Sequence, residues 1–247
     1  MPEDAEPTRR TGPVLAVFAH PDDAEICAGG VMANWAAAGR SVHLLILTNG
    51  DRGSGDPTAS REELAATRKE ETEAGAEVLG LASARVLSTH DGELENTSIV
   101  REAVTRRIRE VRAETVVSCD PTAVFFKGPE ATTTTYYNHS DHRTAGWIAL
   151  DSCFPGSGNP HFFSEQLGEG LQTQDVFDVW LGWSNEANRT EDVSDHFDKK
   201  MAALAQHRSQ ITEGIRYWDE TMREEAKVAG RRIGVELAEE FRVLDLS

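Results

Sequence analysis

The stretch "AVFAHPDDAEICAGG", residues 16–30, decides how this chain is read. Before it and into it, Val14 to Ala19 form a run of small and β-branched apolar residues. An unbroken apolar run of this length reads as a strand buried on both faces, as strands of parallel sheets are. It stops at His20-Pro21-Asp22-Asp23, and a helix is expected at once over Ala24–Ala38, closed by Gly39 as its C′ residue. Two adjacent carboxylates at the end of a buried strand repel each other. A positive group or a bound proton has to offset that repulsion.

Outward from this point, β and α segments alternate. Val42–Leu47 reads as a second buried strand, Arg61–Leu79 as a charged helix stopped at Gly80, and Arg85–Leu87 as a third strand. Ser98–Val111 is expected as a helix and Thr115–Ser118 as a fourth strand. Residues 122–138, with four threonines from Thr132 to Thr135, read as a loop, followed by a helix over Ser140–Cys153 and a loop over 155–174. Val176–Trp183 alternates like a late strand, and helices follow over His196–His207 and Glu213–Val228. This order implies an α/β fold, Rossmann-like, with a mostly parallel sheet and helices on both faces. Such sheets bind ligands beyond the carboxyl ends of their strands. His20, Asp22 and Asp23 fall there after the first strand, and Asp51-Arg52 after the second, which makes Arg52 a substrate-side candidate.

Composition sets the wider frame. The 247 residues, 39% hydrophobic and 27% charged, suit an ordinary globular protein with a substantial core. With no internal repeat and no Pro/Gly/Ser-rich linker, one domain is expected over 13–247 behind a flexible tail over 1–12. A net charge of −17 disfavours nucleic acid and anionic membrane surfaces as partners. The polar N-terminus lacks the apolar segment of a signal peptide, and no apolar run reaches a membrane span. Cys27, Cys119 and Cys153 lie at irregular spacing without a CxxC pair, so reduced thiols and a cytoplasmic location are expected.

A second dense cluster is Asn138-His139-Ser140-Asp141-His142. Ser140 reads as an N-cap, which puts His139 just before the helix and His142 in its first turn, roughly on one side. Beside His20-Pro21-Asp22-Asp23, this supplies two imidazoles and a carboxylate for a divalent metal, with a carboxylate and an imidazole to spare. Three protein ligands plus water make a hydrolytic zinc site. A dication there would also offset the repulsion between the aspartates. His43, His90, His161 and His196 lack such company and read as structural.

Residues 19–30 (AHPDDAEICAGG) and 138–146 (NHSDHRTAG) resemble the two signature motifs of the LmbE-like or PIG-L deacetylases. Arg68-Lys69-Glu70-Glu71 with Leu79-Gly80, Asp91-Gly92, and His207-Arg208-Ser209-Gln210 resemble further landmarks, so the likeness runs nearly the whole chain. The resemblance implies a zinc hydrolase, ferrous iron being the other metal considered, that removes the acetyl group from an N-acetylglucosamine conjugate. It implies His20, Asp23 and His142 as metal ligands and Asp22 as general base. His139 would steady the oxyanion or protonate the leaving amine, with Asp141 as its orienting partner. Arg68 and Asp91 would hold sugar hydroxyls, and Tyr137 would assist the transition state. The implied partner is a small amino-sugar conjugate, and self-association is left open. Two rival readings are a metal-dependent hydratase of a dicarboxylate on the same fold and a metal-bearing binding module without turnover. The latter would be expected to lack Asp22 or His139, and both are present.

Overall fold

The computed structural model describes residues 10–127 and 135–246. Most of the expected tail over 1–12, and Thr132 to Thr134 of the threonine run, lie outside the described residues. Strand β1 (Val14–Phe18) leads to helix α1 (Asp23–Ala37), β2 (Val42–Thr48), α2 (Arg61–Leu79), β3 (Ser83–Thr89), α3 (Ser98–Val111) and β4 (Thr115–Cys119). A short hairpin, β5 (Phe125–Lys127) and β6 (Thr135–Tyr137), precedes α4 (Ser140–Asp151). Then come α5 (Ser164–Gly168), β7 (Asp178–Gly182), β8 (Arg189–Asp192), α6 (Phe197–Leu204), α7 (Ile215–Ile233) and β9 (Ala238–Asp245).

Seven strands form one sheet in the order β3-β2-β1-β4-β7-β9-β8. The first five run parallel; β9 is antiparallel to β7, and β8 to β9. The unbroken apolar sequence of β1 follows from its place in the middle. Val14, Ala16 and Phe18 pack on one face with Ala24, Cys27, Ala28 and Val31 of α1. Leu15 and Val17 pack on the other with Val104 and Ile108 of α3 and Ala145 and Ile148 of α4. Each face is therefore dry, and the expected doubly covered sheet is present.

Helices α2 and α3 start and stop where expected, because their end signals are local. Ser60 and Thr97 cap their N-termini with side-chain oxygens, and Gly80 takes a left-handed φ of 80° after α2. Other boundaries moved. Ser140 is the first residue of α4 rather than its cap; His139 caps it, Nδ1 accepting the N–H of Asp141 at 3.1 Å. Helix α4 ends at Asp151, where the chain widens into a turn over Ser152–Ser157 around Pro155, which has no N–H to continue the ladder. The loop expected over 122–138 contains the β5–β6 hairpin.

Strands β8 and β9 escape the apolar pattern altogether. Glu239 breaks β9 yet is buried, because α1 kinks at Ala28 and frees two amides. The Glu239 carboxylate accepts the N–H groups of Gly30 and Val31, both at 2.9 Å, and pairs with Lys200 at 2.6 Å. Gly29 and Gly30 are small for the same reason: a Cβ would lie 2.8 Å from Lys200 Cγ and 2.7 Å from Val193 Cβ. The Gly-rich helix start is a packing device.

Candidate active site

Between β1 and β4 the chain order reverses, since β1 leads away to β2 and β3 while β4 begins on its other side. That is the switch point where open α/β sheets hold ligands. The turn after β1 brings His20 to Asp23 to this crevice, and α4 points its first turn at it. Helix α4 comes this close because residue 146 is glycine: a Cβ there would lie 2.3 Å from the carbonyl oxygen of Cys119. Asp22 sits at φ 99°, a conformation that a residue with a Cβ rarely adopts. Backbone strain of this kind persists where the surroundings impose it, and it gathers at working sites.

Around that turn the two sequence clusters meet. The Asp23 carboxylate spans both imidazoles, with Oδ2 3.4 Å from His20 Nδ1 and Oδ1 3.1 Å from His142 Nε2. Each imidazole has its second nitrogen engaged as well. His20 Nε2 lies 3.1 Å from Asp91 Oδ1 and 3.3 Å from Asp141 Oδ2, and His142 Nδ1 lies 3.0 Å from Asn138 Oδ1. The His139 ring stands 4.9 Å from that of His20 and 5.4 Å from that of His142.

This donor set fits a divalent metal. The two histidine nitrogens meet different oxygens of Asp23, at 3.4 Å (Oδ2) and 3.1 Å (Oδ1), near the roughly 3.4 Å that separates neighbouring ligand atoms about 2.1 Å from a tetrahedral zinc. Metal-bound histidines also direct their other nitrogen to a carboxylate or carbonyl, which fixes tautomer and tilt, and both histidines have such a partner. Among the described residues, His20, His139 and His142 offer nitrogens within 4.8 Å of one another, and the nitrogen of His20 with carboxylate oxygens of Asp91 and Asp141 forms a second such set. His139 turns Nδ1 to a backbone amide, while Asp23 contacts both His20 and His142.

Charge in the crevice is finely opposed. Burial alone would lower the pKa of His20, but the Asp23 charge and the bonds to Asp141, Asp23 and Asp91 push it up to about 12. Burial likewise opposes Asp23, yet His142 and His20 hold its carboxyl well below the usual range. Asp22 goes the other way: burial lifts it to about 6 against the pull of Arg68. Metal-free protein therefore carries a proton on His20 at neutral pH, and His20 could serve as a ligand only after losing it. Zinc binding at pH 7 should release about one proton, its apparent affinity rising with pH. Titration calorimetry in buffers of different ionisation enthalpy measures this; no proton release would remove His20 from the ligand set.

The remaining candidates divide. Asp141 turns its carboxylate to His20 and to the N–H of Gly92 (2.7 Å), and meets His139 through its backbone, so the pairing expected from the sequence is a backbone one. Arg68 is 3% exposed; it donates to the carbonyls of Gly50 (3.0 Å) and Pro21 (2.6 Å) and lies 3.5 Å from Asp22 and 3.9 Å from Asp91. It braces the turn from below. Arg52 stands outside the Asp91 turn, bonded to the Asp91 carbonyl at 2.8 Å and to Glu93. Tyr137 is exposed at the rim, its hydroxyl accepting from Arg143 at 3.3 Å.

Residues to which the sequence reading gave no role of their own support this set. Asn138 orients His142. Buried Asp51 accepts the N–H of Asp91 at 3.1 Å and bonds His90 and Arg61, and so holds the turn that carries Asp91. Its place after β2 was the available signal. Behind the turn, buried His207 faces Glu25 at 3.4 Å, and Ser209 donates twice to Glu71 (2.8 and 2.6 Å). The C-terminal landmark is thus scaffolding that ties α1 and α2 to the end of α6. Cys27, Cys119 and Cys153 are free and buried, and no helix among the described residues is long and apolar enough to cross a membrane.

A doubly wound sheet that gathers two imidazoles and an aspartate at its switch point, with a strained second aspartate beside them, has the make-up of a hydrolytic metal site. Residues 15–153 match the family model described as PIG-L: GlcNAc-PI de-N-acetylase, and the chain belongs to that family. It is 32% identical to the diacetylchitobiose deacetylase of Thermococcus kodakarensis, over 96% of this chain and 85% of that one. It is 25% identical to a probable N-acetyl-alpha-D-glucosaminyl L-malate deacetylase of Bacillus anthracis, over 80% of this chain and 81% of that one. The structure of N,N'-diacetylchitobiose deacetylase from Pyrococcus horikoshii superposes with a TM-score of 0.82 at 30% identity, covering 94% of this chain and 84% of that one.

Proposed function

We propose that this chain is a divalent-metal-dependent N-deacetylase of small N-acetylglucosamine conjugates, with zinc as the metal held by His20, Asp23 and His142. The observation that carries the metal reading is the Asp23 carboxylate set between two imidazoles whose outer nitrogens are both held. The substrate class rests on the relatives, which are deacetylases of such sugars. A bound dication lowers the pKa of a water to about 7 and polarises the acetyl carbonyl.

The protein's own groups complete the reaction. Asp22, beside Asp23 and facing Arg68, accepts a proton from the attacking water. Attack on the acetyl carbonyl gives a tetrahedral oxyanion. His139 accepts the Asp141 N–H at Nδ1, and burial together with the charges of His20 and His142 lowers its pKa. It is therefore a neutral ring whose proton sits on Nε2, suited to donate to that oxyanion. Collapse breaks the C–N bond, and the proton held by Asp22 passes to the departing amine. The products are acetate and a free amino sugar. The partly exposed side chain of Asp91 (15%) supports its accepting from sugar hydroxyls, whereas the 4% exposed Arg68 side chain acts through Asp22. A dicarboxylate substrate would need paired cations. Arg68 and Arg52 are committed to Pro21, Gly50, Asp91 and Glu93, which favours amide hydrolysis.

The test is release of primary amine from N-acetylglucosamine, N,N'-diacetylchitobiose and N-acetylglucosaminyl malate by zinc-loaded protein. Amine formation that stops with chelator and returns with zinc is expected from at least one of them. No amine from any N-acetylated sugar, while a dicarboxylate is hydrated, would overturn the reading.

A further inference from the structure

Trp183 follows β7 at its carboxyl end with φ +54°, a left-handed conformation that a bulky residue seldom takes. The surroundings impose it. The N–H of Asp120 donates to the carbonyl of Gly182 at 2.8 Å, and Ser184 Oγ donates to the buried Asp120 carboxylate. Gly182 itself presses so closely on α1 that a Cβ would lie 2.2 Å from Cys27 Sγ. The outcome is an indole laid along the ring of His142, centroids 5.0 Å apart and planes 37° from parallel.

His142 is held at its ring edge by Asp23 at Nε2 and Asn138 at Nδ1, and the rings of His20 and His139 meet it at 66° and 47°, steeper than the indole. Two edge contacts define an axis about which an imidazole can still rock. An aromatic wall against its face removes that freedom. We propose that Trp183 is a positioning residue for the metal: it sets the tilt of His142, shields that face of the ring from water, and so strengthens metal binding. The negative face of the indole also favours an imidazole that gains positive character when it binds a cation. This rests on the assignment of His142 as a ligand.

Trp183→Leu and Trp183→Phe test it, with zinc affinity measured by competition against a chromophoric chelator and cobalt as a spectroscopic substitute. Trp183→Leu should weaken zinc binding roughly 10–100-fold, the range for lost outer-shell support, and alter the intensity of the cobalt visible bands. Trp183→Phe, which keeps an aromatic face, should restore most of the affinity. At saturating zinc, KM should stay unchanged in both. Unaltered affinity and an unaltered cobalt spectrum in Trp183→Leu would overturn the proposal. So would equal losses in both variants that track a lower Tm of the metal-free protein. Failure of the unaltered protein to bind either metal would overturn the ligand assignment, and this role with it.

Discussion

Replacing Asp22 with asparagine should lower kcat by roughly 10²–10⁴-fold, the range for a missing general base, with zinc content unchanged. The side chain is nearly isosteric and asparagine tolerates positive φ, so the strained turn should survive. In the unaltered protein kcat/KM should rise with pH as Asp22 ionises. The limb should lie at or below pH 6, because a neighbouring dication favours the ionised carboxylate. It should vanish in the variant. Stability moves the other way. Folding raises the Asp22 pKa from 3.8 to about 6, so in metal-free protein its ionisation opposes the native state. The penalty is absent below pH 3.8 and complete above pH 6, where it amounts to about 2–3 kcal/mol. Metal-free Asp22→Asn should therefore melt above the unaltered protein at pH 8 and level with it in acid. A variant with full activity, or one that loses its zinc, would place the base elsewhere.

Asp23→Ala should fail at the opposite step. One carboxylate contacts both His20 and His142, and it carries the negative charge that offsets a dication. Its loss should weaken zinc binding more than 100-fold, beyond the effect of an outer-shell partner, and activity should fall with it. The metal-free fold should suffer as well, since the protonated His20 and buried His142 lose the charge packed between them. Elemental analysis after dialysis, beside melting curves with and without zinc, measures both effects. Stoichiometric zinc in Asp23→Ala would mean that His20 and His142 bind with another donor, such as His139, whose nitrogen lies within 4.8 Å of both. Adjacent in sequence, Asp22 and Asp23 would thus part company completely, one failing in turnover and the other in metal retention.

The fold class was legible in sequence because its signals are local. Unbroken apolar strands, helices closed by glycine and their strict alternation imply a parallel sheet covered on both faces, and strand ends then point to His20, Asp22, Asp23 and Asp51. The pairing of the His20 and His142 clusters was legible too, since dense polar motifs at strand and helix ends have few other uses.

What tertiary structure alone decided is which groups are buried together. Arg68, expected at a sugar, is closed off beneath Asp22 because its helix packs under the turn. Asp141 serves His20 through its carboxylate because α4 enters alongside the Asp91 turn, 49 residues away from it in sequence at Gly92. Glu239 makes β9 look polar, yet it satisfies amides of a helix 208 and 209 residues upstream. Trp183 was legible only as the last letter of an alternating strand; its place on His142 depends on a left-handed backbone imposed by Asp120 and α1. Local pattern determined where the elements and the chemistry-bearing residues lie. Long-range packing determined which charges face each other, because desolvation and pairing act through distances that sequence separation does not encode.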